Sequence, residues 1–404
     1  MILPAQRRAV WALALGQMLG YACIYYVFAA LVLAWHQDLG WDKAVLASGP
    51  TIAIVLSAVL APVFGRLVDR GQGVRLLWGG AALGALALVL LARINTIPAY
   101  LAVWAVIGLA QGASLYEVCF AYLIRRLGPD ARSAIIKVTL VAGLASTLAF
   151  PAAAVLVGAW GWRGAVGVAA AVMAVLVVPL NLWGARTIRA TTIAATLPSP
   201  TDDRAALHRA LRLPTFWLLA LAFALSALNH WMVVNLALPV FQAQGASQGM
   251  AVLAASMIGP AQVAGRLVLM GAHARVSSRR VAGLTIAASL VASALLWAAG
   301  IAVPLILAYA VLQGAAVGVV TILRPVMIAE LLGQAGYGAI AGVIYIPSLL
   351  AGAAAPVVGA LVLSWAGVGA LMGFSVVLLV LMGLVVVALP RGPGSGDAGQ
   401  GPNG

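Results

Sequence analysis

The chain has 404 residues, of which 64% are hydrophobic and 8% charged, and it carries a net charge of +14. A soluble domain carries about 25% charged residues, so a water-exposed globular surface is excluded. The basic excess lies between apolar runs, which points to membrane topology rather than to nucleic acid.

A helix needs about 20 apolar residues to cross a bilayer. Apolar runs near 9–35, 44–64, 76–93, 98–124, 134–157, 164–185, 214–241, 249–270, 281–300, 303–331, 337–363 and 367–389 predict twelve spans. The first run is long enough to span, so no separate cleavable signal peptide is expected. Between the runs, nearly all basic residues fall on one side, among them Arg7, Arg70, Arg125, Arg189, Arg280 and Arg391. The other side holds only Lys43, Arg93 and Arg163. That asymmetry places both termini and the 186–213 segment in the cytoplasm. Few lysines and abundant alanine point to a bacterial plasma membrane. Cys23 and Cys119 both lie inside apolar runs and read as small core residues.

The expected organisation is an all-α membrane protein with an N-terminal six-helix bundle, 1–185, and a C-terminal one, 214–389. A linker, 186–213, joins them, with a short surface helix around Asp203–Leu211. The glycine-rich tail, 390–404, is expected to be disordered. The halves echo each other. Gly65-Arg66-Leu67-Val68 recurs as Gly265-Arg266-Leu267-Val268, and Gln111-Gly112-Ala113 as Gln313-Gly314-Ala315. Pro151 with Trp160-Gly161 recurs as Pro356 with Trp365 and Gly367. Parallel repeats with a site between them are a transporter design.

Residues 65–75 form a short charged loop between two apolar runs. Gly65 allows a close helix approach, Asp69 suits the start of a neighbouring helix, and Arg70 and Arg75 hold the loop on the cytoplasmic side. The loop resembles the G-x-L-x-D-R-x-G-R-[KR] motif of major facilitator superfamily transporters, with Gly73 arriving one residue late. Within that family the chain looks most like the monocarboxylate transporter and oxalate/formate antiporter branch. Tyr25-Tyr26-Val27-Phe28, Leu39-Gly40-Trp41, Ala61-Pro62 and Gly161-Trp162-Arg163 carry this likeness. The chain departs from it too. Helix eight lacks the Asp/Arg pair of the animal carriers, and helix eleven has Tyr345 and Ser348 but no Lys. The resemblance implies two pseudo-symmetric six-helix bundles, with helices one, four, seven and ten lining a central cavity.

Charges at membrane depth usually face a cavity or the bundle interior. Arg324 can hold a carboxylate by two hydrogen bonds, with Gln313 on nearly the same helix face; it can equally pair with Glu117 or reach towards the cytoplasm. Glu117 reads as a proton carrier or as that pair's partner. His230, beside Asn229, suits proton exchange, but a hydrogen-bonded core histidine is the plainer reading. Tyr21, Tyr25, Tyr26, Tyr116 and Tyr345 can close on a substrate or serve as packing. The other three histidines are dispersed, so no metal site is expected.

The leading expectation is a secondary transporter, not an enzyme. It would move a small organic anion, a carboxylate first, by alternating access, with protons as the coupling ion. The alternatives are efflux of amphipathic or cationic compounds, and a non-transporting membrane receptor or assembly factor. The expected partners are the solute, protons and the lipid bilayer, with no nucleic acid and no cofactor; the chain is expected to act as a monomer.

Overall fold

The computed structural model describes residues 3–192, 200–272 and 276–390. The tail expected to be disordered, beyond Pro390, lies outside them, as do Arg275 and linker positions 193–199. The described residues are helical with short connections and no strand. In chain order the helices are α1 (Pro4–Gly20), α2 (Val27–Leu39), α3 (Lys43–Leu67), α4 (Gly73–Leu91), α5 (Ile97–Ser114) and α6 (Tyr116–Leu127). There follow α7 (Ala131–Ala142), α8 (Ala145–Val172), α9 (Val178–Thr191), α10 (Pro200–Leu211), α11 (Pro214–Asn235) and α12 (Ala237–Ala243). The last are α13 (Gln248–Ala272), α14 (Ser278–Ala298), α15 (Leu305–Leu332) and α16 (Tyr337–Ala388).

Among the described residues, eight helical stretches are long and apolar enough to cross a membrane. Three of them, 43–91, 97–191 and 337–388, contain more than one of the predicted runs. Two of these stretches are kinked at single glycines. Gly161 has φ 68° and Gly367 has φ 78°, a left-handed conformation that a Cβ disfavours. These two kinks sit at corresponding points of the internal echo. In the charged loop, Gly71 takes φ 83°, so the extra residue relative to the family motif is accommodated by a positive-φ turn. Asp42 caps α3 by accepting a 2.8 Å hydrogen bond from the Ala44 amide.

The chain divides into two compact units. The first holds residues 1–205 and 335–346; the second holds 206–334 and 347–404. The first unit's core includes a cluster of aromatic side chains: Trp35 packs edge-on against Tyr100, Trp104 and Trp162 at centroid distances of 6.0–6.4 Å. The Tyr100 hydroxyl donates to the Leu46 carbonyl at 2.6 Å, which satisfies the polar atom of a fully buried ring. The second unit's core gathers Met232, Phe241, Leu296 and Tyr309. There α13 and α15 approach backbone to backbone where Gly265 faces Ala315.

The sequence echo does not extend to contacts. Gly65 backs onto Gly338, at the start of α16 within the first unit, whereas Gly265 backs onto α15. Arg66 is exposed, whereas Arg266 is buried and donates to the Gly318 carbonyl at 3.3 Å.

Candidate functional site

Two helical discontinuities build the site in the first unit. Between α1 and α2 the chain widens into a π-helical turn, Tyr21–Tyr25, closed by a Tyr26 amide bond to the Tyr21 carbonyl at 2.9 Å. Such turns project side chains out of the regular helical register. The other break follows α5, which stops at Ser114. Leu115 is extended (φ −89°, ψ −161°), and α6 restarts at Tyr116.

Two buried amide side chains tie the breaks together. Gln17 donates from Nε2 to the Ser114 carbonyl at 2.7 Å, and Gln111 donates from Nε2 to the Ile24 carbonyl at 2.7 Å. Both acceptors lie at a break, where the ordinary helical ladder is disturbed. The clamp therefore satisfies the irregular backbone and fixes the two segments against each other.

A small open pocket sits at this junction, within about 490 Å³ of empty space that includes open solvent. Its walls include Tyr21, Tyr25, Tyr116 and Tyr345, with Ser57, Gln111 and Glu117, and the lining found among the described residues contains no basic side chain. Tyr21 is the hub, at 4.5 Å from the Tyr116 ring and 5.3 Å from the Tyr25 ring. Tyr116 stacks on Phe120 at 4.7 Å, which fixes its orientation. Tyr26 contacts Tyr25 but packs on Phe150 at 6.0 Å, and is absent from the cavity lining. Glu117 is half-buried in the first turn of α6, where the exposed amides of a helix start favour a negative charge. A wall of tyrosine faces, hydroxyls and one carboxylate can hold an organic solute by stacking, by hydrogen bonds and, for a cation, by the ring quadrupole.

Other predicted site residues lie in the second unit. Arg324 is half-buried on α15, one residue before the buried Pro325. Gln313, on the same helix, is buried, and its Oε1 has no hydrogen-bond partner among the described residues. Asn229 is buried and accepts a 2.5 Å hydrogen bond from Ser375. That bond ties α11 to the last part of α16 and occupies the Asn229 carbonyl. His230 is half-buried, with its ring 5.2 Å from that of Trp231.

The charged loop has its own geometry. Asp69 is buried and accepts from the amides of Gly338 and Ala339, each at 3.0 Å. Arg70 and Arg75 are exposed. Sequence reasoning did not place two residues of this cluster. Arg125 is buried and pairs with Asp203 at 2.9 Å, with its Nη1 4.0 Å from Asp69. Asp203 also accepts from the Gly336 amide at 2.7 Å. The only available signal was an Asp on an otherwise surface-like linker helix, and linear spacing does not reveal its partners. Ser57 was likewise missed, whereas Gln111 was legible only through the internal echo.

The arrangement is that of a polytopic helical membrane protein in which irregular backbone of the first helix and of the α5–α6 junction borders a cavity. The pattern of the Major Facilitator Superfamily matches residues 13–275, and the chain belongs to that family of transporters. No curated protein matches it. Among solved structures it is similar to the Major Facilitator Superfamily transporter FucP in its outward conformation, at 13% identity and a TM-score of 0.74. That match covers 96% of this chain and 100% of the other. It is also similar to the proton:xylose symporter XylE, at 12% identity and a TM-score of 0.68, covering 95% and 97%. The human organic anion transporter MFSD10 aligns at 19% identity and a TM-score of 0.68, covering 95% and 100%. At these identities the likeness shows the shared fold.

Proposed function

We propose that the chain is a secondary transporter that moves a small organic solute across the plasma membrane of a bacterium by alternating access. Its two six-helix halves rock about a central site. The observation that carries this reading is the tyrosine-lined cavity between two clamped helix breaks. Broken helices beside a cavity are how transporters expose polar backbone at membrane depth. The tyrosines close on the solute, and Glu117 or His230 carries the coupling proton. Both termini and the 65–75 loop lie on the cytoplasmic side, and the protein works as a monomer.

An organic anion, a small carboxylate first, is the substrate that Arg324 supports, because a guanidinium binds a carboxylate with two hydrogen bonds. Resemblance to the monocarboxylate and oxalate/formate branch supports the same class. A second reading, an amphipathic or cationic solute, is favoured by the cavity lining, which holds Glu117 and, among the described residues, no basic side chain. Thermal stabilisation of the purified protein separates the two, since a ligand stabilises according to its concentration relative to its dissociation constant. Carboxylates are expected to raise the unfolding temperature saturably, and Arg324→Gln to abolish the effect. Stabilisation by cations alone, lost in Glu117→Gln and kept in Arg324→Gln, selects the second reading. If no solute stabilises the protein and none crosses a vesicle containing it, transport is refuted.

A further inference from the structure

The linker helix α10 has one face on which Asp203, Ala206 and Ala210 are buried, at spacings of three and four residues. A carboxylate on that face needs a partner, because a buried unpaired charge is strongly unfavourable. Asp203 has two. Its Oδ1 accepts from Arg125 Nη1 at 3.1 Å and from the Gly336 amide at 2.7 Å, while its Oδ2 lies 2.9 Å from Arg125 Nη2 as an ion pair.

Gly336 immediately precedes α16. A helix start leaves amide groups without partners, and here two carboxylates share them. Asp203 takes that of Gly336, and Asp69 takes those of Gly338 and Ala339. Arg125 stands between the carboxylates, bound to Asp203 and 4.0 Å from Asp69. Asp69, Arg125 and Asp203 are all under 10% exposed, so little water screens the three charges.

We propose that Asp203 is a positioning residue of a gate at the start of α16, and that it brings the linker into that gate. Its role is to engage Arg125. With Asp203 present, both oxygens of Asp69 remain available to the α16 amides. Without it, the guanidinium closes on Asp69 and competes with those amides. The segment 335–346 belongs to the first unit, and α16 continues into the second from Pro347. Movement of the α16 start away from Asp69 releases this clasp, and the linker helix sets how readily that happens. The gate role rests on the transporter reading; the competition for Asp69 does not.

Hydrogen exchange read by mass spectrometry on peptides covering 336–346 tests the competition. Asp203→Asn is expected to accelerate exchange there by about ten- to hundredfold, the loss expected for a charge-assisted hydrogen bond. Asp203→Glu, which keeps the charge, is expected to slow it again. Asp203→Asn combined with Arg125→Gln is expected to exchange more slowly than Asp203→Asn alone, because no guanidinium then competes for Asp69. An unchanged rate in Asp203→Asn, or a double variant at least as fast as the single, overturns the proposal.

The gate role is read separately, with Ser57→Cys in the cavity wall and an impermeant maleimide applied to inside-out vesicles. Asp203→Asn is expected to raise labelling severalfold. Faster exchange with unchanged labelling overturns the gate role. Failure of the transporter reading appears instead in the unmutated protein, as absent ligand stabilisation and absent flux.

Discussion

Replacing Gly65 with alanine tests how closely α3 and the start of α16 must approach. A methyl built on Gly65 falls 1.9 Å from the Gly338 carbonyl oxygen and 2.2 Å from its carbon. Both atoms are backbone, so no rotamer relieves the contact, and the helices must part by about 1.5 Å to restore van der Waals separation. Overpacking of this kind costs about 1–3 kcal/mol. The same displacement stretches the two 3.0 Å hydrogen bonds from Gly338 and Ala339 to Asp69 beyond useful length. Each bond to a charged group contributes about 1.5–3 kcal/mol. Gly65→Ala is therefore expected to destabilise the protein by about 3 kcal/mol or more in fluorescence-monitored unfolding in detergent. Asp69→Asn is expected to cost less. The double variant should be little worse than Gly65→Ala alone, because the first change already removes what the second would. An effect of Gly65→Ala within about 0.5 kcal/mol of zero, the range of an ordinary surface change, would refute the argument. Full additivity of the two substitutions would refute it too.

Other consequences are as specific. Gln111→Leu leaves the Ile24 carbonyl without its 2.7 Å donor and should destabilise by about 1–3 kcal/mol in the same unfolding assay. Gln313→Leu should cost less, since the Gln313 Oε1 has no hydrogen-bond partner among the described residues; equal losses would count against the clamp. Asp38→Asn weakens the 2.7 Å contacts that Asp38 makes with the Trp162 indole N–H and the Arg163 guanidinium. Because both ends of the Asp38–Arg163 pair are about half exposed, the resulting drop in unfolding temperature should shrink as salt is raised. A drop that does not respond to salt would show that the indole bond alone matters.

Much of the fold was legible because bilayer physics acts on single segments. Each span must be apolar and must satisfy its own backbone, so length and hydropathy locate it without knowledge of its neighbours. Two glycines were legible only as an echo between the halves, and the structure adds their role. Gly161 and Gly367 occupy a conformation that penalises any Cβ, and they recur in both halves. The tyrosines of the first helix were visible as a cluster, and Tyr21 and Tyr25 do share the cavity wall.

What tertiary structure decided concerns polar atoms that find partners far along the chain. A continuous helix was expected over 98–124, yet it breaks at Leu115, where Gln17 supplies a donor for the released Ser114 carbonyl. Tyr26 adjoins Tyr25 in sequence but turns to Phe150, because the π-helical turn shifts its register. Asn229 is legible in the sequence as the neighbour of His230, whereas the partner of its carbonyl, Ser375, lies 146 residues away. Asp203 is separated from Arg125 by 78 residues and from Gly336 by 133. Hydropathy is a property of a segment and can be read from it. A hydrogen bond joins two positions, and only the folded chain brings them together.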